Sequence, residues 1–365
     1  MFGKKKKTTE AAAPAKGFAS VLSDKRIPVP TPDSIIDENG RPVLGTFDKE
    51  FQHLNFLDIH NQSILPDFTN KNRITLWEAC EINLDDDLAI LVAFSKLAGL
   101  IGICLTLVYD KKEKKKYAWM SPASGNMSET LLDGSTTAGK GPLNNVTMVN
   151  DFNHGKAHVS SHGRGPAGKM ELDFDLTRWS VPSVVSIPMD AHKTLYTQKD
   201  LFTVEGYIVF NGKKYLATEA SMAIIDDHRG YYPFDSHYDW VTSMGYGLVN
   251  GEKRKFGFNL TRNQSINQDD YNENILWLEG KSSRITPVKF EHLTYDYWRI
   301  TDDYGMVDLT YDIGDRNLLK FTIGHIKADY SITFGVLKGY ICDENGTKYV
   351  VDGMCGIGED KSLRI

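Results

Sequence analysis

Cysteine is sparse: Cys80, Cys104, Cys342 and Cys355 are the only four in 365 residues, and no two stand in a Cys-x-x-Cys spacing. That spacing sets aside a zinc ribbon and suggests no disulfide framework. The common catalytic signatures are missing too: there is no Gly-x-Ser-x-Gly elbow, no phosphate loop, no dinucleotide fingerprint after a strand and no His-Glu-x-x-His. A basic face is also lacking. The net charge is −6, and Lys4 to Lys7 and Lys16 against Glu10 make the first sixteen residues +4, leaving −10 for the remainder. Phosphate binding needs a cationic surface, so duplex nucleic acid is not an expected partner. No apolar segment precedes a cleavage site at the N-terminus, so no secretory signal is read and a cytoplasmic location is expected.

Amphipathic helices are scarce, whereas strand-like runs recur between turn signals. Residues 206–210 and 214–216 flank Asn211-Gly212, a strong hairpin signal. Strands at this spacing without intervening helices predict an all-β sandwich or barrel protein. The apolar stretch 88–109 approaches the length of a membrane span, but Lys96 near its middle would cost about 2.5–3.5 kcal/mol in lipid. It reads instead as two strands, with the lysine cluster 111–116 as a solvated hairpin tip, and no stable membrane insertion is expected. Residues 1–16 read as a disordered basic tail, and Pro28, Pro30 and Pro32 predict an extended arm. His154, His158 and His162 lie four apart, but glycines around them favour extended backbone, where four residues span about 13 Å. They cannot share a metal, and neither a metal site nor a cofactor is expected.

Polar and aromatic side chains concentrate in residues 223–245 (AIIDDHRGYYPFDSHYDWVTSMG) and 257–281 (GFNLTRNQSINQDDYNENILWLEGK). On an extended strand Asp226 and Asp227 point to opposite faces, so one is directed inward. Asp227, Glu273 and His237 are the proton-transfer candidates; burial of a carboxyl would raise its pKa toward neutrality. The structural alternative for Asp227 is an ion pair with Arg229. Asn259 and Asn263, with Asn272 and Asn274, suggest an amide-lined wall, and Tyr232, Trp240 and Trp277 add rings with polar handles. Such a set suits an amphiphilic small molecule.

The order Asp226-Asp227-His228-Arg229-Gly230-Tyr231-Tyr232-Pro233, then Trp240 and Gly245, then Asn272-Glu273-Asn274 and Gly280-Lys281, resembles the bacterial domain-of-unknown-function family 2804. The resemblance extends over roughly residues 18–360. That family is in turn similar to two-domain lipocalin-like proteins that include carotenoid hydratases and some pericyclase-type enzymes. The resemblance implies two lipocalin-like β-barrel or β-sandwich domains, at 17–225 with the arm and at 226–365, with a boundary within 226–250. It also implies a junctional pocket for hydration, isomerisation or cyclisation. A glycan-acting or glycan-binding protein and a non-catalytic carrier fit the same residues.

Overall fold

A computed structural model describes residues 17–61, 63–97, 99, 101–324 and 326–364. The expected tail, 1–16, lies outside the described residues. The protein is all-β, built as two antiparallel sheet units joined along a seam. The first unit is a 14-stranded sheet whose central strands are Leu88–Leu97, Thr75–Leu84, Met222–Gly230, Thr194–Phe210 and Gly168–Arg178, in that order. It curls into a near-barrel around Ile82, Ile90, Val92, Phe94, Trp119, Phe174 and Phe202. The second is a nine-stranded sheet, in which Asp235–Val249 pairs with both Glu252–Arg262 and Lys348–Arg364. Val241, Phe258, Leu260, Trp298, Tyr311 and Leu337 fill its interior.

The apolar stretch forms the strands Leu88–Leu97 and Ile101–Asp110, and the lysine-rich turn leads into Lys115–Pro122. Its two faces explain its length: Ile90, Val92 and Cys104 enter the first barrel, while Leu91, Leu105 and Leu107 pack against the other unit. Among the described residues no helix is long and apolar enough to cross a membrane.

The chain leaves the first sheet at Gly230 and enters the second at Asp235. The arm is shared between the units. Phe18 and Leu22 are buried in the second core, and the Arg26 guanidinium donates to the Asn274 carbonyl at 2.7 Å. Further on, Val29 bridges to Phe47 at the first unit. Both the arm and the sheets therefore tie the units together. Ala89, Leu91, Leu105, Leu107 and Tyr109 meet Trp240, Ile332, Phe334 and Ile357 in an apolar layer, with Tyr109 stacked on Phe334 at 5.3 Å. Full burial of each large apolar side chain contributes about 1.5–3 kcal/mol, so the seam is a substantial part of the fold.

Of the three evenly spaced histidines, His158 and His162 lie on the strand Lys156–Gly165, and His154 lies in the turn before it. His154 pairs with Asp151 and His158 with Asp175.

Candidate functional site

Residue parity on three adjacent strands separates two polar clusters. On Thr75–Leu84, Thr194–Phe210 and Met222–Gly230, the side chains of Glu78, Gln198, Asp200, Asp227 and Arg229 enter the first barrel. Their neighbours Glu81, Thr197, Lys199, Asp226 and His228 face the seam. The barrel cluster is closed. Asp227 accepts from Arg229 Nε at 2.8 Å and from Nη2 at 3.1 Å, both residues being fully buried, and Arg229 also donates to the carbonyls of Ser128 and Leu131. Glu78 accepts from Asn150 at 2.7 Å and from Thr137, and burial followed by the nearby Asp227 pushes its carboxyl up to about 7.

Glu81, Asp226 and His228 of the seam cluster line a cleft between the units, together with Trp77, Tyr232, Tyr238, Trp240 and Asn263, and Lys199 and Thr197 are buried next to them. Lys199 Nζ lies 2.6 Å from Asp226 Oδ1, 3.1 Å from Glu273 Oε2 and 2.9 Å from His228 Nε2. His228 Nε2 is in turn 2.9 Å from Asp226 Oδ1, and its Nδ1 is 3.3 Å from the Tyr232 hydroxyl. Thr197 donates to Glu273 Oε2 at 2.7 Å. Glu273 comes from the segment preceding Ile275–Leu278 in the second unit, so the cluster exists only where the two units meet.

The environments drive these carboxyls apart. Burial opposes charge on Asp226, but Lys199 and His228 outweigh it and hold the carboxyl well below its usual range. Glu273 is lowered in the same way, by Lys199 and then His228 against its burial. Glu81 is driven in the other direction: burial, followed by the negative charge of Asp226, raises it far above an ordinary glutamate, and its Oε2 makes no hydrogen bond. The cleft therefore sets a carboxyl that burial keeps protonated to higher pH, Glu81, beside two whose charge Lys199 and His228 favour, Asp226 and Glu273. Glu359 accepts from Tyr238 at 2.8 Å and from Tyr330, and Lys361 lies over the rings of Trp77, Tyr238 and Tyr330 at 4.7–5.4 Å.

The structure brings Glu273, Tyr232, Trp240 and Asn263 to this cleft, with His237 at its rim. Asp227 lies on the opposite face of its strand, in the barrel. Asn272 and Asn274 act as local staples: Asn272 Oδ1 accepts from the Asn274 N–H at 2.9 Å, and Asn274 joins Thr261 N–H to the Thr286 carbonyl. Asn259 fixes the cleft wall from behind, accepting from the Trp240 indole at 2.5 Å and donating to the Glu273 carbonyl at 3.1 Å. Trp277 packs with Leu201, Met222, Ile224 and Met244 at another part of the seam. Sequence reasoning missed Glu81, Lys199, Glu359 and Lys361. Glu81 did carry a signal, as an ionisable side chain between Cys80 and Ile82, whereas Lys199 is hidden in the polar run Thr197-Gln198-Lys199-Asp200.

Two antiparallel units, a near-barrel and a half-barrel, with ionisable side chains buried along their seam define the class as a two-unit all-β protein. Within that class the chain belongs to the DUF2804 family, a domain of unknown function, whose model matches residues 26–365. No curated protein matches it significantly. Among solved structures, CghA with Sch210972 is 8% identical, covers 81% of this chain and 89% of its own, and superposes with a TM-score of 0.49. Kievitone hydratase from Nectria haematococca is 10% identical over 82% of this chain and 94% of its own, with a TM-score of 0.48. A putative AttH from Nitrosomonas europaea is 13% identical over 82% and 96%, with a TM-score of 0.46.

Proposed function

We propose that the seam cleft binds an amphiphilic small molecule and transfers protons on it, in a reaction of the hydration, isomerisation or cyclisation type. The observation that carries the reading is the opposed surroundings of two carboxyls lining one cleft: Glu81 is buried with an unpartnered Oε2, which favours its protonated form, and Asp226 lies against Lys199 and His228, which favour its charge, the arrangement by which environment divides general acid from general base. In a hydration, Glu81 gives its proton to an alkene carbon, water adds to the adjacent carbon, and Asp226 takes the proton that water releases. One water is consumed, and the proton returns from Asp226 to Glu81 through solvent. Lys199 and His228 hold Asp226 in its charged form, and His228 links it to the Tyr232 hydroxyl. Asp226 thus takes the role first expected at Asp227. No cofactor enters this chemistry.

An apolar recess supports the amphiphilic character of the ligand. It is lined by Ala93, Leu105, Met120, Leu319 and Ile332, and it shares Trp77 and Lys361 with the cleft. A polar reacting group at Asp226 would leave a hydrocarbon portion to occupy it.

Native mass spectrometry of the full chain, freshly purified from its own host, tests the reading. A single small-molecule adduct is expected, reduced several-fold by Trp240→Ala and retained without conversion by Glu81→Gln. Conversion that persists in Glu81→Gln would leave Glu81 out of the chemistry. An adduct held equally by Trp240→Ala and Asp226→Asn would place the ligand elsewhere.

A further inference from the structure

Behind the cleft wall, the same strands carry a second group of side chains on their other face. Tyr238 and Trp240 point to the seam, so His237 and Asp239 point away from it, and Asp360 is the direct cross-strand partner of Asp239. One ligand atom from each of His237, Asp239 and Asp360 can be chosen so that all lie within 4.8 Å of one another. His237 Nε2 is 3.5 Å from Asp239 Oδ2. Two ligand atoms on one tetrahedral ion at bonds of about 2.0–2.2 Å stand roughly 3.5 Å apart.

The supporting contacts are those of a ligand set. His237 Nδ1 is 3.0 Å from the Ser362 hydroxyl, which fixes the ring and leaves Nε2 turned toward Asp239. Asp239 is only 8% exposed, and its carboxylate lies between two imidazoles, with His292 Nε2 3.0 Å from Oδ1 and His237 Nε2 3.5 Å from Oδ2. His292 is itself held flat on Trp298, with ring centres 4.3 Å apart and planes 7° apart, and its other nitrogen is 3.9 Å from Asp360. Two carboxylates and two imidazoles therefore converge at one end of the second barrel, where His237 and His292 are exposed enough for an ion to enter.

We propose that His237, Asp239 and Asp360 bind a divalent transition-metal ion, with His292 alongside and water completing the shell. Mixed imidazole and carboxylate donors suit zinc-class ions over Mg2+ or Ca2+, which prefer oxygen alone. The ion neutralises the two facing carboxylates and clamps the strands Asp235–Val249 and Lys348–Arg364 together. Those strands present Tyr238, Trp240, Glu359 and Lys361 to the cleft on their opposite face. The site meets the cleft only at His237, on its rim, and takes none of the residues assigned to proton transfer there.

Calorimetric titration of tag-free full chain, stripped with chelator and then given Zn2+, tests the assignment. One Zn2+ per chain is expected, with thermal stabilisation that Mg2+ does not reproduce. Asp360→Asn and His237→Gln should each weaken binding at least about 10-fold, while Cys355→Ser leaves it unchanged. His237 is exposed, so His237→Gln remains informative even where Asp360→Asn fails to fold. Absence of saturable one-to-one binding, or equal affinity in a folded His237→Gln chain, overturns the proposal.

Discussion

Asp226 and Asp227 are adjacent in sequence but belong to different environments, one in an ion cluster at the seam and the other in a closed pair inside a barrel. Alternation along a strand made the division legible in the sequence; which face led to a cleft was not, because the first barrel has a polar interior as well as an apolar one. Asp227→Asn should lower stability by about 3–5 kcal/mol, since it strands the fully buried Arg229 charge. Thermal denaturation reads this loss, and ligand binding per folded molecule should be unchanged. Glu81 makes the complementary prediction. Its folded pKa lies above its usual 4.5, so the unfolded chain releases this proton first, and folding stability falls as pH rises from about 4.5 toward the folded value. Glu81→Gln removes that dependence. The stability of the variant relative to wild type should therefore grow with pH above 4.5, by up to about 1.4 kcal/mol per pH unit. A constant difference between pH 5 and 7 would contradict it.

At the scale of elements, the strand Met222–Gly230 is the partition between barrel and seam, and its end is fixed by one glycine. Gly230 has φ +146°, and a Cβ there would lie 2.2 Å from the Thr194 carbonyl oxygen. Both the conformation and the close backbone approach require glycine. Gly230→Ala should cost at least about 1–3 kcal/mol and disturb the pairing with Leu195, measurable as a lower melting temperature and faster amide exchange at 194–197. The strands and the hairpin at Asn211-Gly212 were readable from apolar runs and turn residues. Asn272 closes a local turn, the commoner use of an asparagine before a strand, whereas the role of Asn274 was not legible, because its partners Thr261 and Thr286 lie in separate segments. His237 and Asp239 likewise became a candidate ligand pair only with Asp360, a strand partner 121 residues from Asp239.

At the scale of the molecule, the cleft is a property of two units held in register. Its groups come from residues 75–84, 194–203, 222–230, 273 and 359–361, separations no local motif encodes. A seam this apolar predicts that both units unfold in one cooperative transition. Phe334, fully buried and stacked on Tyr109, is its most sensitive point. Phe334→Asp should separate the transition into two in scanning calorimetry, and a single, unshifted transition would show that the seam contributes little.

The central claim is that a protonated carboxyl and ionised ones share this cleft at neutral pH. Carboxyl 13C NMR of the full chain with labelled glutamate tests it most directly, with the Glu81 signal assigned through its loss in Glu81→Gln. The account predicts that Glu81 remains protonated at pH 7 while Glu273 stays ionised well into the acid range. Titration of Glu81 near its ordinary value of 4.5 would contradict it.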